Sequence, residues 1–358
     1  MIEPHDREDF LAPYSGATTS QPKPQQTRGH LAATLLGQPY LLYGVYLFCI
    51  GIVMYLVGVA LVLPRYLLGL YDELTPISEF LVWYSGLPLV LSLAVATLDI
   101  LVLFDGKRRL TDLRTDDVGN GKVTVALTAY DDEESIAEAV RDFLGHPLVA
   151  RVIVVSNNSK DRTVEFAEAA GAIVFDEIQA GYGRCVYRCL TEAVKFEDTE
   201  FVALCEGDRT FRSRDIDKLL AYAPHADIVN GTRTVEVLRE RHTQLTTFMF
   251  YGNLFVGKLL EAKHLGASTI TDVGATYKLC RKSALLTLLP KLNPAVNLEF
   301  NAHFMDTALQ HRYLLLECPV TFHARVGTSK GGNIDNLRAL AVGLRMIRGL
   351  TFGWRAAT

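Results

Sequence analysis

The sequence predicts an α/β protein in which two transmembrane helices precede a mostly parallel, helix-flanked sheet. Three observations support this fold class. Two long apolar runs lie within the first 104 residues, a basic cluster follows them, and short β-rich runs alternate with helix-period stretches after Arg114. Strands that alternate with helices are typical of a parallel sheet with helices on its faces. The 358 residues, 49% of them hydrophobic, suffice for one ordinary domain and an additional segment.

The first apolar run extends over residues 40–63 without a charged side chain and ends at Pro64. About twenty apolar residues in a helix span a bilayer. A signal peptide would have a shorter apolar region nearer the N-terminus and a small-residue cleavage site. This run therefore predicts a transmembrane helix. Residues 1–36 are rich in Pro, Gln, Thr and Ser, and we expect a disordered tail there.

The second apolar run covers residues 80–104 and contains Asp99 and Pro88. We expect a second transmembrane helix, kinked at Pro88, within a membrane segment over residues 37–109. Asp99 could be a functional intramembrane charge or an interfacial residue. The basic cluster that ends the run predicts a cytoplasmic location for everything after it, and two spans return the N-terminal tail to the same side. This cluster comprises Lys107, Arg108 and Arg109.

Charge and cysteine content exclude some classes of protein. The formal net charge is −4, so the sequence does not indicate a nucleic-acid-binding surface. The six cysteines have neither the density of a disulfide scaffold nor a CxxC metal spacing, which fits a reducing compartment. Cys185 and Cys189 would lie one turn apart on a helix, where packing is the expected role.

Short apolar runs after residue 114 predict five strands, and the segments between them have helical spacing. Residues 136–144 place apolar side chains on one helical face, and a further helix should run from Thr163 to Gly171, a plausible C-terminal cap. Ligands of such sheets bind beyond the carboxyl ends of the strands. The predicted strands are 123–127, 152–155, 172–175, 201–204 and 227–230.

Polar segments follow three of the predicted strands, over residues 128–134, 156–163 and 205–210. Because parallel strands end at one edge of a sheet, three polar loops there indicate a site. Glu206 and Asp208, separated by Gly207, could converge on a divalent cation that prefers oxygen ligands, such as Mg²⁺ or Mn²⁺. The alternative is a solvated turn, since Glu-Gly-Asp is a good turn sequence.

The loop after the first strand contains residues that suit a nucleoside. Tyr130 could flank a base, and the carboxylates that follow it could accept hydrogen bonds from ribose hydroxyls. A helix N-terminus enriched in acidic residues is the alternative. Asn157 and Asp161 could read base edges or simply cap the next helix. The nucleotide-binding candidates in the first loop are Thr128, Tyr130, Asp132 and Glu133.

Glycine and basic residues in later loops suit phosphate groups. Gly183 allows close backbone approach, and Arg184 and Arg188 could meet phosphate. Arg233 lies just past the fifth predicted strand. A basic segment near the end of the chain is a natural anion site, although a solvated basic loop is an equal alternative. That segment contains His323, Arg325, Ser329 and Lys330.

Five motifs occur in the order found in family 2 glycosyltransferases with a GT-A fold. A sixth resembles the segment that closes the active site in the dolichol-phosphate mannose synthase and polyprenyl-phosphate glycosyltransferase group. The resemblance covers about residues 122–330 and implies a mixed, mostly parallel GT-A sheet in a catalytic domain over residues 115–330. The motifs are VTVALTAYDDEESI, VIVVSNNSKDRT, FVALCEGDRTF, DIVNGTRT, DVGATYKLCRKSAL and CPVTFHARVGTSK.

The resemblance implies inverting transfer of a sugar from a UDP- or GDP-linked donor to a polyprenyl or dolichyl phosphate. It places Tyr130, Asp132 and Glu133 in the nucleoside pocket. Glu206 and Asp208 match the family's metal motif, in which Glu206 replaces the usual aspartate. The enzyme would be an integral membrane protein with a cytoplasmic catalytic domain, and an oligomer would be compatible with this function. The implied phosphate-handling residues are Arg233, Arg325, Ser329 and Lys330.

Three features stay open at this point. Residues 331–358 could form an amphipathic helix on the membrane surface, or a helix packed on its own domain. The acceptor could instead be a hydroxyl of a glycan or glycolipid, in which case Glu299 or Asp272 would be the general base. In a different class of function, the domain would be a catalytically silent, membrane-anchored module for nucleotide-sugar binding or assembly.

Overall fold

The computed structural model describes residues 35–108, 113–327 and 335–354. A seven-stranded sheet forms its centre, with the strand order β3-β2-β1-β4-β6-β5-β7. Its pairings are parallel except for those of β6, which is antiparallel to both β4 and β5. The mixed, mostly parallel sheet predicted from the sequence is confirmed. The strands are β1 (Val123–Ala129), β2 (Val149–Ser156), β3 (Ile173–Asp176), β4 (Phe201–Glu206), β5 (Ile228–Thr232), β6 (Lys278–Arg281) and β7 (Leu315–Pro319).

Helices cover both faces of this sheet and precede it. Short 3₁₀ segments lie at Ala223–His225, Glu236–Leu238 and Leu289–Lys291, and a π-helical segment at Leu98–Val102. The α-helices are α1 (Tyr40–Ala60), α2 (Val62–Leu67), α3 (Tyr71–Tyr84), α4 (Gly86–Thr97), α5 (Phe104–Lys107), α6 (Ile136–Leu144), α7 (Thr163–Ala169), α8 (Tyr182–Ala193), α9 (Asp215–Tyr222), α10 (Thr247–Lys263), α11 (Lys282–Leu288), α12 (Phe300–Gln310) and α13 (Asn336–Phe352).

Alternating side chains of the sheet enter two separate apolar layers, because successive residues of a strand point to opposite faces. Val125 and Leu127 of β1 belong to one layer, with helices α6, α7 and α9. Ala126 belongs to the other layer, with α8, α10 and α12. Cys185 and Cys189 are buried in that second layer, so packing is their role, as predicted.

The five predicted strands are present, and the predicted helices occur as α6 and α7. Gly171 follows α7 with φ +99°, a left-handed conformation that glycine adopts without strain. Two strands were not predicted. β6 has only four residues, Lys278 and Arg281 among them, and β7 contains Glu317. Charged residues in such short strands conceal the apolar pattern on which the prediction depends.

The first apolar run continues through α1 and α2 as a helix from Tyr40 to Leu67 that is long and apolar enough to cross a membrane. It passes Pro64, where we expected it to end, because Pro64 lies in the first turn of α2, where a missing N–H costs little. The beginning of α1 packs on the sheet domain through α10 and α13. Leu42 is fully buried there, and Tyr46 Oη lies 2.8 Å from Thr351 Oγ1.

The second candidate membrane helix runs from Tyr71 to Val102. It begins earlier than the predicted residue 80, and its interruption lies at Ser85, three residues before Pro88. Asp99 is buried, accepts a hydrogen bond from Leu41 N at 2.8 Å and pairs with Lys107. This carboxylate therefore joins the start of α1 to the end of the second helix, which favours a structural role.

Candidate active site

The carboxyl ends of the strands carry the polar loops noted in the sequence, and the segment after β7 joins them at the same edge. In the loop after β4, Thr210 O accepts a hydrogen bond from His323 N at 2.9 Å, and Asp208 O accepts one from Val326 N at 3.2 Å. These bonds dock the segment after β7 onto the Glu206–Asp208 loop. The structure thus brings the candidate metal motif and the candidate anion segment together.

Arg325 joins the loops after β1 and β4 through two carboxylates. Its Nη1 donates to Asp208 Oδ2 at 2.9 Å and its Nη2 to Asp132 Oδ1 at 2.8 Å. Asp208 is 1% exposed, and its second oxygen accepts hydrogen bonds from Thr210 N and Oγ1. A single guanidinium therefore neutralises one predicted metal ligand and one predicted nucleoside ligand.

Glu206 lies beside this pair and is half-buried. Its Oε1 accepts a hydrogen bond from Thr276 Oγ1 at 2.8 Å. Burial and the nearby charge of Asp208 raise the pKa of Glu206 to about 7. Two carboxylates held this close favour a cation between them, because their mutual repulsion disfavours ionisation of both.

These residues fit a divalent cation that binds together with a substrate. Within the described residues, no group of three or more His, Cys, Asp or Glu side chains forms a metal site. Mg²⁺, however, is usually held by one or two carboxylates together with substrate phosphates. Glu206 and Asp208 supply such a carboxylate pair, and the guanidinium of Arg325 already provides positive charge at the position of Asp208.

Arg233 forms the second buried ion pair of the site. Its Nε and Nη2 donate to the two oxygens of Asp272, both at 2.7 Å, and its guanidinium lies 5.1 Å from the centre of the Phe322 ring. Burial would raise the pKa of Asp272, but the charge and hydrogen bonds of Arg233 lower it below the ordinary value. Asp272 therefore orients Arg233 and is a poor general base.

The loop after β1 interlocks with the loop after β2. Asp131 N donates to Ser159 Oγ, Asp132 N to Thr163 Oγ1 at 2.7 Å, and Glu133 N to Asp161 Oδ2. Together with Val326 and Gly327 these loops line a cavity of about 140 Å³. Tyr130 is 46% exposed. Of the nucleoside candidates, Asp132 and Glu133 line this acidic cavity, and Asp132 is bound to Arg325.

Other nucleotide candidates have backbone roles in the structure. Asn157 Nδ2 donates to the carbonyls of Glu177 and Gln179, both at 2.9 Å, and its Oδ1 accepts from Gly181 N. Its amide thus fixes the loop before α8, and a role in base recognition stays a prediction. Asp161 Oδ1 accepts a hydrogen bond from the N–H of Thr163, the first residue of α7.

Gly183 and Arg184 lie at the start of α8. A side chain at position 183 would overlap the carbonyl of Val296, so this glycine permits close packing. Arg184 contributes to a separate cavity of about 290 Å³, together with Arg188 and Tyr187. The structure therefore does not bring Arg184 to Arg325.

Thr128 and Gly207 are part of the strand framework beneath the site. Thr128 pairs with Glu206 in the register of β1 and β4, and its carbonyl accepts a hydrogen bond from Gly207 N at 3.0 Å. Ser329 and Lys330 lie outside the described residues, so their predicted contact with phosphate stays a prediction. His323 pairs with Glu240, and among the described residues of this segment Arg325 is the cation that enters the site.

Sequence reasoning missed four polar residues beneath Glu206. Lys278 is fully buried in β6, and burial lowers its pKa to about 8. Asn301, Tyr182 and Thr276 connect it to Glu206 by hydrogen bonds. The lysine within Tyr-Lys-Leu-Cys was the available signal, since a charge inside an apolar run is unusual in a buried strand.

Glu299 lies at the start of α12 and is 6% exposed. Arg345 of α13 donates to its Oε2 at 3.2 Å. Both alternative bases, Glu299 and Asp272, are thus paired with arginines.

Helix α13 packs on α10 and α12, so the C-terminal helix contacts its own domain, while Leu337 and Leu344 remain exposed.

Comparison with known proteins agrees with the motifs. Residues 124–289 match the family described as Glycosyl transferase family 2. The glycosyltransferase AglJ of Haloferax volcanii is 30% identical over 167 residues, which are 46% of this chain and 52% of the relative. A dolichyl-phosphate hexose transferase of the same organism is 23% identical over 58% of this chain and 86% of its own length. The chain spans about half the length of several curated relatives that it matches.

A solved structure with a similar course of the chain is glucosyl-3-phosphoglycerate synthase from Mycobacterium tuberculosis, in complex with Mn²⁺, UDP-glucose and glycerol 3-phosphate. The TM-score is 0.45 at 14% identity, and the match covers 66% of this chain and 82% of the synthase. For residues 124–289, the family match confirms the resemblance of the sequence motifs to family 2 glycosyltransferases.

Proposed function

The chain carries a family 2 glycosyltransferase domain over residues 124–289, and we propose that this domain transfers a sugar from a UDP- or GDP-linked donor to a polyprenyl or dolichyl phosphate at a membrane, with inversion. The observation that carries this proposal is the position of Arg325 and Arg233 beside the candidate metal carboxylates. Two arginines at one carboxylate site suit a reaction between two phosphorylated substrates.

The acceptor is assigned from acid–base chemistry. A phosphate monoester with a second pKa near ~6 is largely dianionic at neutral pH and needs no general base to become a nucleophile. A hydroxyl acceptor needs a positioned base. Asp272 and Glu299 are the two carboxylates considered for that role, and each is bound to an arginine. The site therefore favours an acceptor that arrives already ionised.

Arg233 is the residue that we assign to the acceptor phosphate. Its Nε and Nη2 are used by Asp272, and its Nη1 makes no hydrogen bond to any residue that the structure describes. A guanidinium fixed on one side by a carboxylate keeps its remaining donors in a defined direction. Ser329 and Lys330, as predicted from the motif, would complete the anion site with Arg325.

Donor binding is assigned to the recess between the loops after β1 and β2. Tyr130, Asp132 and Glu133 would hold the nucleoside, and Glu206 and Asp208 would hold Mg²⁺ or Mn²⁺ with the diphosphate. Such a cation stabilises negative charge on the departing nucleoside diphosphate. The residues of the chain would bind and orient the two substrates.

Membrane association is supported by the exposed apolar surface. The two candidate membrane helices expose side chains such as Trp83, 81% exposed, and Leu101, 76% exposed. Helix α10, which packs against α1, adds an exposed row of Phe248, Tyr251 and Phe255. Aromatic side chains are favoured at membrane interfaces. We propose that the catalytic domain lies on the membrane surface, where a lipid phosphate can reach it, on the cytoplasmic side that the basic cluster after the second apolar run predicts.

The direct test is transfer by the purified full chain with Mg²⁺ or Mn²⁺, a panel of labelled UDP- and GDP-sugars, and polyprenyl phosphate. We expect label in an acid-labile lipid, and loss of this product with EDTA. Label found only on hydroxyl-bearing acceptors would contradict the lipid phosphate. Binding of nucleotide sugar without any transfer would instead indicate the silent module.

A further inference from the structure

Lys278 presents a buried charge that the proposed reaction does not use. The residue lies in β6 with no exposed surface. No carboxylate of the described residues lies within ion-pairing distance of it. Its Nζ donates instead to the carbonyl of Ala275 and to Asn301 Oδ1, the latter at 3.0 Å. Burial of an ammonium group without a direct counter-ion is costly, so the position calls for a physical explanation.

A continuous series of hydrogen bonds leads from this lysine to Glu206. Asn301 Nδ2 donates to Tyr182 Oη at 3.2 Å, and Tyr182 Oη lies 2.7 Å from Thr276 Oγ1. Thr276 Oγ1 in turn lies 2.8 Å from Glu206 Oε1. Thr276 and Asn301 are 2% and 4% exposed, so water competes little for these bonds. We call Lys278, Asn301, Tyr182 and Thr276 the Glu206 relay.

The two ends of the Glu206 relay fix the direction of every bond within it. An ammonium group only donates hydrogen bonds and a carboxylate only accepts them. The amide of Asn301 must therefore accept from Lys278 and donate to Tyr182. The phenol must donate to Thr276, and the Thr276 hydroxyl must donate to Glu206. All of these dipoles point their positive ends toward the carboxylate.

The Glu206 relay binds one of the two carboxylate oxygens of Glu206. Oε1 accepts the hydrogen bond from Thr276, while Oε2 has no hydrogen-bond partner among the residues that the structure describes. A glutamate has one more rotatable bond than the aspartate usual in this motif and loses more side-chain freedom when it is ordered. The hydrogen bond to Oε1 already restricts the side chain, so less conformational freedom is lost when a cation binds.

We propose that Lys278 is a positioning residue that acts through the Glu206 relay to hold the Glu206 carboxylate with Oε2 directed to the divalent cation. The inference rests on the proposed function, because it assumes that Glu206 is a metal ligand. The inference explains how a glutamate can occupy this position instead of the shorter aspartate. The hydrogen bonds of the Glu206 relay hold its longer side chain in place.

The test is Mn²⁺ binding to the full chain in nanodiscs, followed through the electron paramagnetic resonance signal of the free ion. Tyr182→Phe removes the central hydroxyl of the relay and retains the ring. We expect about tenfold weaker Mn²⁺ binding, the effect of losing one hydrogen bond that supports a charged ligand. Tyr313→Phe is the matched control, since its hydroxyl bonds Thr287 at the opposite edge of the sheet. This control should bind Mn²⁺ like the wild type.

A double-mutant cycle separates this role from a general structural one. In a Glu206→Gln background, Tyr182→Phe should have no further effect on Mn²⁺ binding, because the supported carboxylate is already gone. Lys278→Met should reproduce the effect of Tyr182→Phe, with thermal melting recorded to show that each variant is folded.

Three results would overturn the inference, and they are distinguishable. Normal Mn²⁺ binding by Tyr182→Phe, or an undiminished effect of this substitution in the Glu206→Gln background, would refute the relay and leave the proposed function intact. Absence of Mn²⁺ binding by the wild type would refute both the relay and the metal role of Glu206.

Discussion

Arg325 Nη1 lies 2.9 Å from Asp208 Oδ2, so the predicted metal ligand is paired with a cation of the chain itself. The same guanidinium binds Asp132. A divalent cation with its nucleotide would compete with Arg325 for both carboxylates. Arg325 would then be released toward the phosphates, which links donor binding to formation of the acceptor site.

Arg325→Gln should destabilise the metal-free protein and make its stability more dependent on metal. Removal of one partner from a largely buried ion pair costs about 3 kcal/mol. We therefore expect a lower melting temperature without metal and a larger increase with Mn²⁺ than the wild type shows. Arg162→Gln, which breaks an exposed pair with Glu165, is the control. Equal melting of Arg325→Gln and wild type without metal would contradict this pairing.

Arg233→Lys should impair transfer although it keeps the positive charge. Lysine cannot reproduce the two parallel hydrogen bonds to Asp272. We expect a loss of about 1–3 kcal/mol in unfolding free energy and at least a tenfold lower turnover, measured by denaturant titration and by sugar transfer. Arg338→Lys, at an exposed pair with Asp335, should change neither quantity. An unchanged turnover in Arg233→Lys would remove this residue from the acceptor site.

His303 should make stability depend on pH. It is 3% exposed, its Nε2 accepts a hydrogen bond from Asn293 N at 2.8 Å, and burial lowers its pKa from 6.5 to about 4. Between these values the unfolded chain binds more protons than the folded one, so the unfolding free energy falls as the pH drops from 6.5 to 4. The expected loss from this residue is about 3 kcal/mol.

The check is denaturant unfolding at several pH values for wild type and His303→Gln, which retains a hydrogen-bond acceptor but does not titrate. The variant should show a shallower slope between pH 6.5 and 4. His311→Gln, at the exposed end of the same helix, should change the slope far less. A slope unaffected by His303→Gln would show that other groups cause the pH dependence.

Substitutions in the exposed aromatic row of α10 should raise the KM for the lipid substrate and leave the KM for the nucleotide sugar unchanged. Tyr251 is 62% and Phe255 48% exposed on a helix that packs against α1. Serine at both positions should raise the KM for a long-chain polyprenyl phosphate by at least tenfold, because each buried aromatic contributes about 1–3 kcal/mol at an apolar surface and about 1.4 kcal/mol corresponds to a tenfold change. The KM for the nucleotide sugar should not change. Leu286→Ser, on α11 near the opposite edge of the sheet, is the control; an equal effect there would argue against a specific lipid surface.

Apolar sequence patterns made part of the fold predictable from the sequence. The predicted strands 152–155, 172–175 and 201–204 are uninterrupted apolar runs, and helices α6 and α7 follow from helical periodicity. β6 could not be predicted in this way, because Lys278 interrupts its apolar pattern. That lysine is accommodated by hydrogen bonds to the carbonyl of Ala275 and to Asn301, which comes from a distant helix. Such long-range compensation does not appear in a local pattern.

Some residues of the candidate site could likewise be predicted from the sequence, and others could not. Asp132, Asp208 and Arg325 were predicted from strand-end position and motif, and the structure brings them into contact. For Asn157 the sequence left base recognition and helix capping as alternatives, and it did not indicate that the amide binds the backbone before α8. A sequence shows that an amide follows a strand; it does not show which backbone groups of another loop will need hydrogen bonds.

A matched pair of lipids distinguishes a phosphate acceptor from a hydroxyl acceptor. Transfer is measured to polyprenyl phosphate and to polyprenol of the same chain length, with Asp208→Ala as the inactive control. We predict transfer to the phosphate only, lost in Asp208→Ala while the variant remains folded. Transfer to polyprenol at an equal or higher rate would contradict the proposed function.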